Sequence, residues 1–202
     1  GYDYGYNQAQ FNGNIAGTIW KSKGDGTNRQ YDFAYDNVNR LLKADFKQNN
    51  TDNSWNNSIV NFTVKMGDGI NYSSAYDENG NIKQMQQYGL LINASSQIDN
   101  LHYTYYNGGN KLQNVIDFND LPTTKLGDFR TSAGHTQYST KTAITTESGF
   151  TTNGPSIYDY GYDVNGNMIT DRNKDLSGSV GVDQASGGAI TYNHLSLPSV
   201  IT

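Results

Sequence analysis

The sequence predicts an all-β fold built from successive antiparallel β-hairpins. Composition is the first reason: 22 Gly and 16 Tyr, with abundant Asn, stand against only 16% charged residues. Turn formers combined with aromatics favour short strands and tight turns over helices. Periodicity is the second. Tyr31, Phe33 and Tyr35 alternate with Asp32 and Ala34, the period of two that marks a half-buried strand. Repetition is the third. Tyr76-Asp77-Glu78-Asn79-Gly80-Asn81-Ile82 recurs almost letter for letter as Tyr162-Asp163-Val164-Asn165-Gly166-Asn167-Met168.

Each copy reads as a hairpin tip. Asp77 and Asp163 start a type I turn, because a carboxylate there accepts hydrogen bonds from backbone N–H groups ahead of it. Gly80 and Gly166, three places on, supply the left-handed conformation of a bulge that returns the chain into a strand. Tyr35-Asp36-Asn37-Val38-Asn39-Arg40-Leu41 and Tyr106-Asn107-Gly108-Gly109-Asn110-Lys111-Leu112 are looser copies. Asn39 and Asn110 hold the glycine place there, and Asn best tolerates positive φ after Gly.

In chain order, Ala9–Ile15 is a degenerate opening copy in which Ala9-Gln10 replaces the Tyr-Asp pair, and Thr18–Lys21 reads as a strand. Gly24–Asn28 is a loop by composition, Leu41–Phe46 the return strand of the second turn, and Gln48–Asn57 an exposed polar loop. Ile59–Met66 alternates as a strand ended by Gly67-Asp68-Gly69. Tyr72, Ser74 and Tyr76 then occupy the places of Tyr31, Phe33 and Tyr35, as do Tyr158, Tyr160 and Tyr162. In the copy at Tyr106 the column is His102, Thr104 and Tyr106, with Tyr103 and Tyr105 on the other face. Asn119–Pro155 carries no clear turn motif; Lys125–Arg130 and Ala143-Ile144 read as strands. Residues 192–198 form a last, decayed copy that has lost its Gly, with Pro198 suited to a strand start or edge. The motif tyrosines lie 41, 30, 56 and 30 residues apart from Tyr35 to Tyr192, which is no strict solenoid period. Hairpins of one kind with extra segments between some of them fit that spacing.

Charge and cysteine content narrow the function classes. A net charge of −5 lacks the clustered Lys and Arg of a phosphate-binding surface, so no nucleic-acid partner is expected. No apolar run is long enough for a membrane-spanning helix. With zero Cys there is neither a disulfide framework nor a thiolate zinc site. The chain starts at Gly1 without Met and ends at Thr202 just after an apolar segment, and both ends read as cut from something longer.

A recurring Tyr-Asp-x-x-Gly-Asn/Arg-Leu/Ile turn after a Tyr-rich strand resembles the YD repeat of the Rhs (rearrangement hotspot) family. That family includes the C component of bacterial Tc toxins, polymorphic toxins and animal teneurins. The match is best at Asp77–Ile82 and Asp163–Met168. The wider runs Tyr6–Ile15, Tyr31–Leu42 and Leu195–Val200 look most like Rhs proteins of Bacteroidota. The resemblance covers essentially all of 1–202 and implies a fragment of a curved or spiralling β-sheet shell, with repeat turns near 9–15, 35–41, 76–82, 106–112, 162–168 and 192–198. It further implies a non-catalytic segment of a large secreted or cell-surface protein that encloses or displays a C-terminal segment, in some members a toxin. Its partners would be the remaining repeats of the same polypeptide, with export-machinery or surface proteins; type IX export is common in Bacteroidota. The autoprotease of such shells uses an Asp-Pro-x-Gly core. No Asp-Pro pair occurs here, so that core and any toxin are expected outside this stretch. The structural residues the resemblance marks are Tyr35, Asp36, Asn39, Tyr76, Asp77, Gly80, Tyr106, Asn107, Asn110, Tyr162, Asp163 and Gly166.

Other chemistries find less support in the residues. Asp163-x-Asn165-x-Asn167, with Asp171 beyond, invites a calcium loop, but an EF-hand-type loop needs Gly at its sixth and an acid at its twelfth place. Those places hold Met168 and Lys174, and in the sibling copy Ile82 and Tyr88, so the turn reading is preferred. His102, His135 and His194 lie far apart, outside metal-ligand spacing, and read as satisfied or solvated. Ser179 sits in Gly178-Ser179-Val180-Gly181, which lacks the nucleophile-elbow pattern, and Gly187-Gly188 is followed by Ala instead of a phosphate-cradling Lys. Most acids sit in turns where capping explains them, and Glu78 and Glu147 are the only glutamates. No enzyme and no cofactor are expected. The competing class is a surface adhesin or carbohydrate-binding module that stacks sugars on Tyr, Trp and Asn patches. Trp55, in the polar loop, is its candidate glycan contact.

Overall fold

The alternating strand around Tyr31 pairs on both sides. In the computed structural model, which describes residues 6, 9–50, 54–92, 94–120 and 127–202, β1 (Gly17–Lys21), β2 (Asn28–Tyr35) and β3 (Leu41–Asn49) form an antiparallel meander. β4 (Trp55–Asn56) folds back on the end of β3. β5 (Val64–Met66) pairs with the middle of β3, and β6 (Gln84–Leu91) pairs with β5. A single helical turn, α1 (Tyr72–Ala75), lies between β5 and β6. β7 (Ala94–Tyr105) follows beside β6 and then pairs antiparallel with β8 (Leu112–Asp117).

The chain next forms two short helices, α2 (Tyr138–Thr142) and α3 (Glu147–Asn153). β9 (Tyr160–Asp163) then makes a hairpin with β10 (Met168–Asp171), while β11 (Gly181–Gln184) pairs parallel to β9. That parallel approach needs Gly161, where a Cβ would run into the Ser179 carbonyl. β12 (Ile190–Tyr192) and β13 (Pro198–Ile201) close as a last antiparallel hairpin. The chain is therefore mostly β, 41% strand and 14% helix, in largely antiparallel sheets.

It divides into two compact units. One holds the described residues up to Asn100 with Gly127, the other Leu101–Asp120 with Asp128–Thr202. In the first, alternate residues of β3, Leu42, Ala44 and Phe46, are buried. Phe46 meets Tyr31 and Phe62 edge-on, at ring-centroid distances of 5.6 and 5.3 Å, and Trp20 stacks on Tyr31 at 5.6 Å. Such pairs add about 0.5–1.5 kcal/mol each beyond their buried area. The other face of β2 and β3 is charged: Lys43 reaches Asp45 at 2.9 Å, and Lys47 lies 3.6 Å from Asp32. In the second unit Ile116, Ile144 and Ile157 form the core, with Phe118 and Phe150 against it.

Several expected elements differ from this. Gln30 and Asp32 on β2 are more buried than Tyr31, Phe33 and Tyr35, which are half-exposed, so both faces of that strand are covered. The expected strand Ile59–Met66 shortens to β5. Tyr72 and Ser74 lie in α1 instead of a strand, because the Asp68 carboxylate gathers the N–H groups of Ile70 and Asn71 and the Ser74 hydroxyl bonds the Asn71 carbonyl. Local side-chain bonds of this kind divert backbone from a ladder. Tyr158 precedes β9. Within the expected loop Gln48–Asn57, β3 persists to Asn49 and β4 forms; 51–53 lie outside the described residues. Residues 127–130 form no strand, and 125–126 lie outside the described residues. Ala143-Ile144 joins two helices. Thr146 caps α3 by accepting the Gly149 N–H, with Glu147 in its first turn. That capping signal, Thr-Glu at a helix start, was present in the sequence and is the one by which the helix could have been found.

Candidate functional site

Four of the repeated turns share one hydrogen-bond pattern. The carbonyls of Asp36, Asp77, Asp163 and Asn193 accept the N–H three residues on, from Asn39, Gly80, Gly166 and Ser196, at 3.0–3.1 Å. The same four residues donate their own N–H to the carbonyl four residues on, and the donors of the first bond have positive φ: 67, 85, 85 and 55°. This is a type I turn with a glycine-type bulge. The carboxylates complete it. Asp36 Oδ1 accepts the N–H groups of Val38 and Arg40, and Asp163 Oδ1 those of Asn165 and Asn167. The second oxygens take side chains: Arg40 Nε at 2.6 Å, Asn81 Nδ2 at 2.8 Å and Asn167 Nδ2 at 3.0 Å. Burial works against the ionised forms, yet these donors hold Asp36 and Asp163 below the usual carboxylate range.

The copy at Tyr106 is different. Positive φ falls on Asn107 and Gly108, not on Asn110. Gly109 N–H closes onto the Tyr106 carbonyl, and Tyr106 N–H reaches the Lys111 carbonyl, one residue further than in the other copies. Asn-Gly is the strongest signal for a turn with two left-handed residues, and it displaces the Asp-type turn here. Tyr106 is drawn into the loop, so Tyr105 pairs with Leu112.

The motif tyrosines connect one turn to the one before. Tyr35 Oη donates to the Ile15 carbonyl at 3.0 Å and Tyr76 Oη to the Leu41 carbonyl at 2.5 Å, both in the first unit. In the second, Tyr162 Oη donates to Leu112 at 3.1 Å and Tyr192 Oη to Met168 at 2.6 Å. Every acceptor is the seventh residue of the preceding turn, although the pairs are 20, 35, 50 and 24 residues apart in sequence. The sixth residue adds a second contact in two cases. The Arg40 guanidinium lies 4.3 Å over the Tyr76 ring, and Lys111 Nζ lies 5.8 Å over the Tyr162 ring. In the opening copy, the Asn12 and Asn14 amides both donate to Asn39 Oδ1. Tyr106 departs again: its hydroxyl donates forward to the Tyr160 carbonyl and accepts the Gly181 N–H.

A second feature, unforeseen from the sequence, is a buried polar cluster in the second unit. Lys141 on α2, Asp159 before β9, Asn173 after β10 and His135 are all buried. Lys141 Nζ donates to Asp159 Oδ2 and to Asn173 Oδ1, each at 2.6 Å. Asp159 Oδ2 also accepts Asn173 Nδ2 at 2.8 Å and the Val115 N–H at 2.9 Å. Because Gln137 N–H donates to His135 Nδ1, the ring proton is assigned to Nε2, which donates to Asp159 Oδ1 at 3.0 Å. Burial pulls the Lys141 ammonium below its usual value, while His135, Lys141 and Asn173 hold Asp159 low against its own burial. The four residues are remote in sequence and of no recognisable spacing, so only folding reveals the cluster.

The remaining histidines behave differently from one another. His102 stacks on Phe118 with ring centroids 3.7 Å apart, and burial pushes it down to about 4, so it is neutral imidazole at pH 7. Its Nδ1 faces Glu147, while Nε2 is buried with no hydrogen-bond partner among the described residues, where the sequence predicts a satisfied or solvated ring. His194 is exposed in the last turn. Trp55 lies on β4, only 36% exposed and paired in register with Asn49, instead of in an open loop. Among the described residues, no helix is long and apolar enough to cross a membrane. No family model, curated protein or solved structure matches the chain.

Three predictions follow from the turn geometry. Tyr76→Phe and Tyr162→Phe should each cost about 1 kcal/mol, the worth of one hydrogen bond, read as a lower urea midpoint at unchanged slope. Gly80→Val forces a β-branched residue to φ 85° and should cost about 1–3 kcal/mol, whereas exposed Glu78→Ala should stay within about 0.5 kcal/mol; equal effects in chemical denaturation would contradict the turn assignment. Asp36 and Asp163 have folded-state pKa values below the unfolded value of about 3.9. Their contribution is therefore complete above that pH and fades as pH falls through the folded values. Asp163→Asn should flatten the acid side of a melting-temperature profile.

Proposed function

We propose that this chain is a non-catalytic structural segment of a large secreted or cell-surface protein of the Rhs/YD-repeat type. Its hairpins would stack turn upon turn into the wall of a curved β-shell that encloses or displays another segment of the same polypeptide. The observation that carries this reading is the tyrosine contact. One hydroxyl-to-carbonyl bond recurs between successive turns whether 20 or 50 residues separate its ends. A module selected for binding one ligand has no need of such a constant contact; a wall assembled from repeats does.

The surface of the last hairpin supports the same reading. Leu195, Leu197, Val200 and Ile201 are 51–64% exposed, apolar area that a further stacked hairpin would cover. Among the described residues, β1 and β13 each have one unpaired edge, which invites pairing with another strand. The alternative, an adhesin or glycan-binding module, draws on Trp20 and Trp55, 38% and 36% exposed. The Trp20 ring is engaged in the aromatic cluster of the first unit, which favours a packing role for it, and Trp55 carries the glycan reading.

The test is the behaviour of the chain alone. With open edges and uncovered apolar hairpins, it should self-associate in light scattering coupled to size-exclusion chromatography, and flanking repeats should restore a monodisperse species. A monodisperse, cooperatively melting monomer would sink the shell reading. Specific retention on a glycan array, lost in Trp55→Ala, would establish the adhesin instead.

A further inference from the structure

The buried cluster in the second unit has the makings of a reaction, not only of a salt bridge. A lysine amine, a primary carboxamide and a carboxylate are in mutual hydrogen-bond contact, away from water. We infer that Lys141 and Asn173 form an intramolecular isopeptide bond, with Asp159 as the proton carrier. Lys141 Nζ is already 2.6 Å from the Asn173 carbonyl oxygen, and Asp159 Oδ2 touches both the attacking nitrogen, at 2.6 Å, and the departing Nδ2, at 2.8 Å. Held contact of this sort replaces the entropy cost of a bimolecular encounter.

The steps balance without any outside reagent. Asp159 takes a proton from the Lys141 ammonium, which frees the Nζ lone pair. Nζ adds to Asn173 Cγ, and the carbonyl π electrons move to Oδ1. Asp159 passes its proton to Nδ2 and accepts another from Nζ. The tetrahedral centre collapses, the Cγ–Nδ2 bond breaks, and nitrogen leaves with the bonding pair. A new Nζ–Cγ amide remains, neutral ammonia is released, and Asp159 ends protonated. Burial favours the first step, because moving the proton from lysine to carboxylate replaces two buried charges with two neutral groups. Two donors fix the carboxylate during the exchange: His135 Nε2–H on Oδ1 and the Val115 N–H on Oδ2. The side chain of Lys141 is confined by the Phe129 ring, 5.6 Å from Nζ.

The bond would fasten α2 to the turn after β10. In a chain without cysteine, it would do what a disulfide does, closing a loop of the unfolded chain and reducing its entropy. It would also turn an expensive buried ion pair into a neutral amide.

Tryptic digestion of the denatured protein, followed by tandem mass spectrometry, decides the matter independently of folding of any variant. The expected product is a peptide 131–172, uncut at Lys141 and carrying Asn173-Lys174 as a branch, lighter by one ammonia than its two parts. Lys141→Arg should restore cleavage at residue 141 and the full mass. Complete cleavage after Lys141 in the unaltered protein would overturn the proposal. So would an ammonia loss confined to Asn-Gly pairs such as Asn79-Gly80, where succinimide formation releases the same mass.

Discussion

A tyrosine hydroxyl held against the backbone of the preceding turn is the contact on which the repeats depend. The turns themselves are local: an Asp or Asn, a left-handed residue and a short set of N–H groups satisfy one another within five residues. Nothing in them specifies a neighbour. The tyrosine one place before the turn does, by delivering its hydroxyl to the carbonyl of the previous turn's seventh residue. That carbonyl stands where the return strand begins, so one bond sets both the spacing and the register of successive hairpins. Tyr106 and Tyr162 have hydroxyl pKa values pushed up to about 12, chiefly by burial. They therefore remain neutral donors at any physiological pH.

This arrangement explains how irregular spacing and regular packing coexist. The entropy of closing a loop grows slowly, by about 0.6 kcal/mol for each doubling of length. An insertion between turns is therefore cheap if the turn-to-turn contact is rebuilt beyond it. The longest interval, between Tyr106 and Tyr162, holds α2 and α3, and Tyr162 still reaches Leu112. The insertion is no idle loop. It delivers Ile144 and Phe150 to the core beside Ile116 and brings Lys141 to Asp159.

The buried cluster sits where that insertion meets the sheet. Removing one member of such a pair leaves an uncompensated charge, at about 3–5 kcal/mol. Asp159 is tied further by its backbone, whose N–H bonds the Gln113 carbonyl and whose carbonyl accepts the Arg172 N–H. Turn stacking and the cluster thus act on the same few residues around β9, one through Tyr160 and Tyr162, the other through Asp159.

The sequence by itself determined what is local. Asp followed by Gly or Asn three places later specified the bulged turn at 36–39, 77–80 and 163–166, because its donors and acceptors lie within reach of each other along the chain. The same locality exposed the limit at Tyr106, where Asn107-Gly108 offered a stronger turn than the motif and moved positive φ away from Asn110. Strand faces were less legible: the Tyr31 column proved half-exposed and Gln30 and Asp32 buried, since both faces of β2 are covered and alternation alone cannot rank them. The helices near 138–153 left only a capping signal. Only the tertiary structure decided which turn touches which, and which polar residues share one dry site. The partners there are separated by 14 to 50 residues of chain, and no pattern in a linear sequence measures distance across a fold.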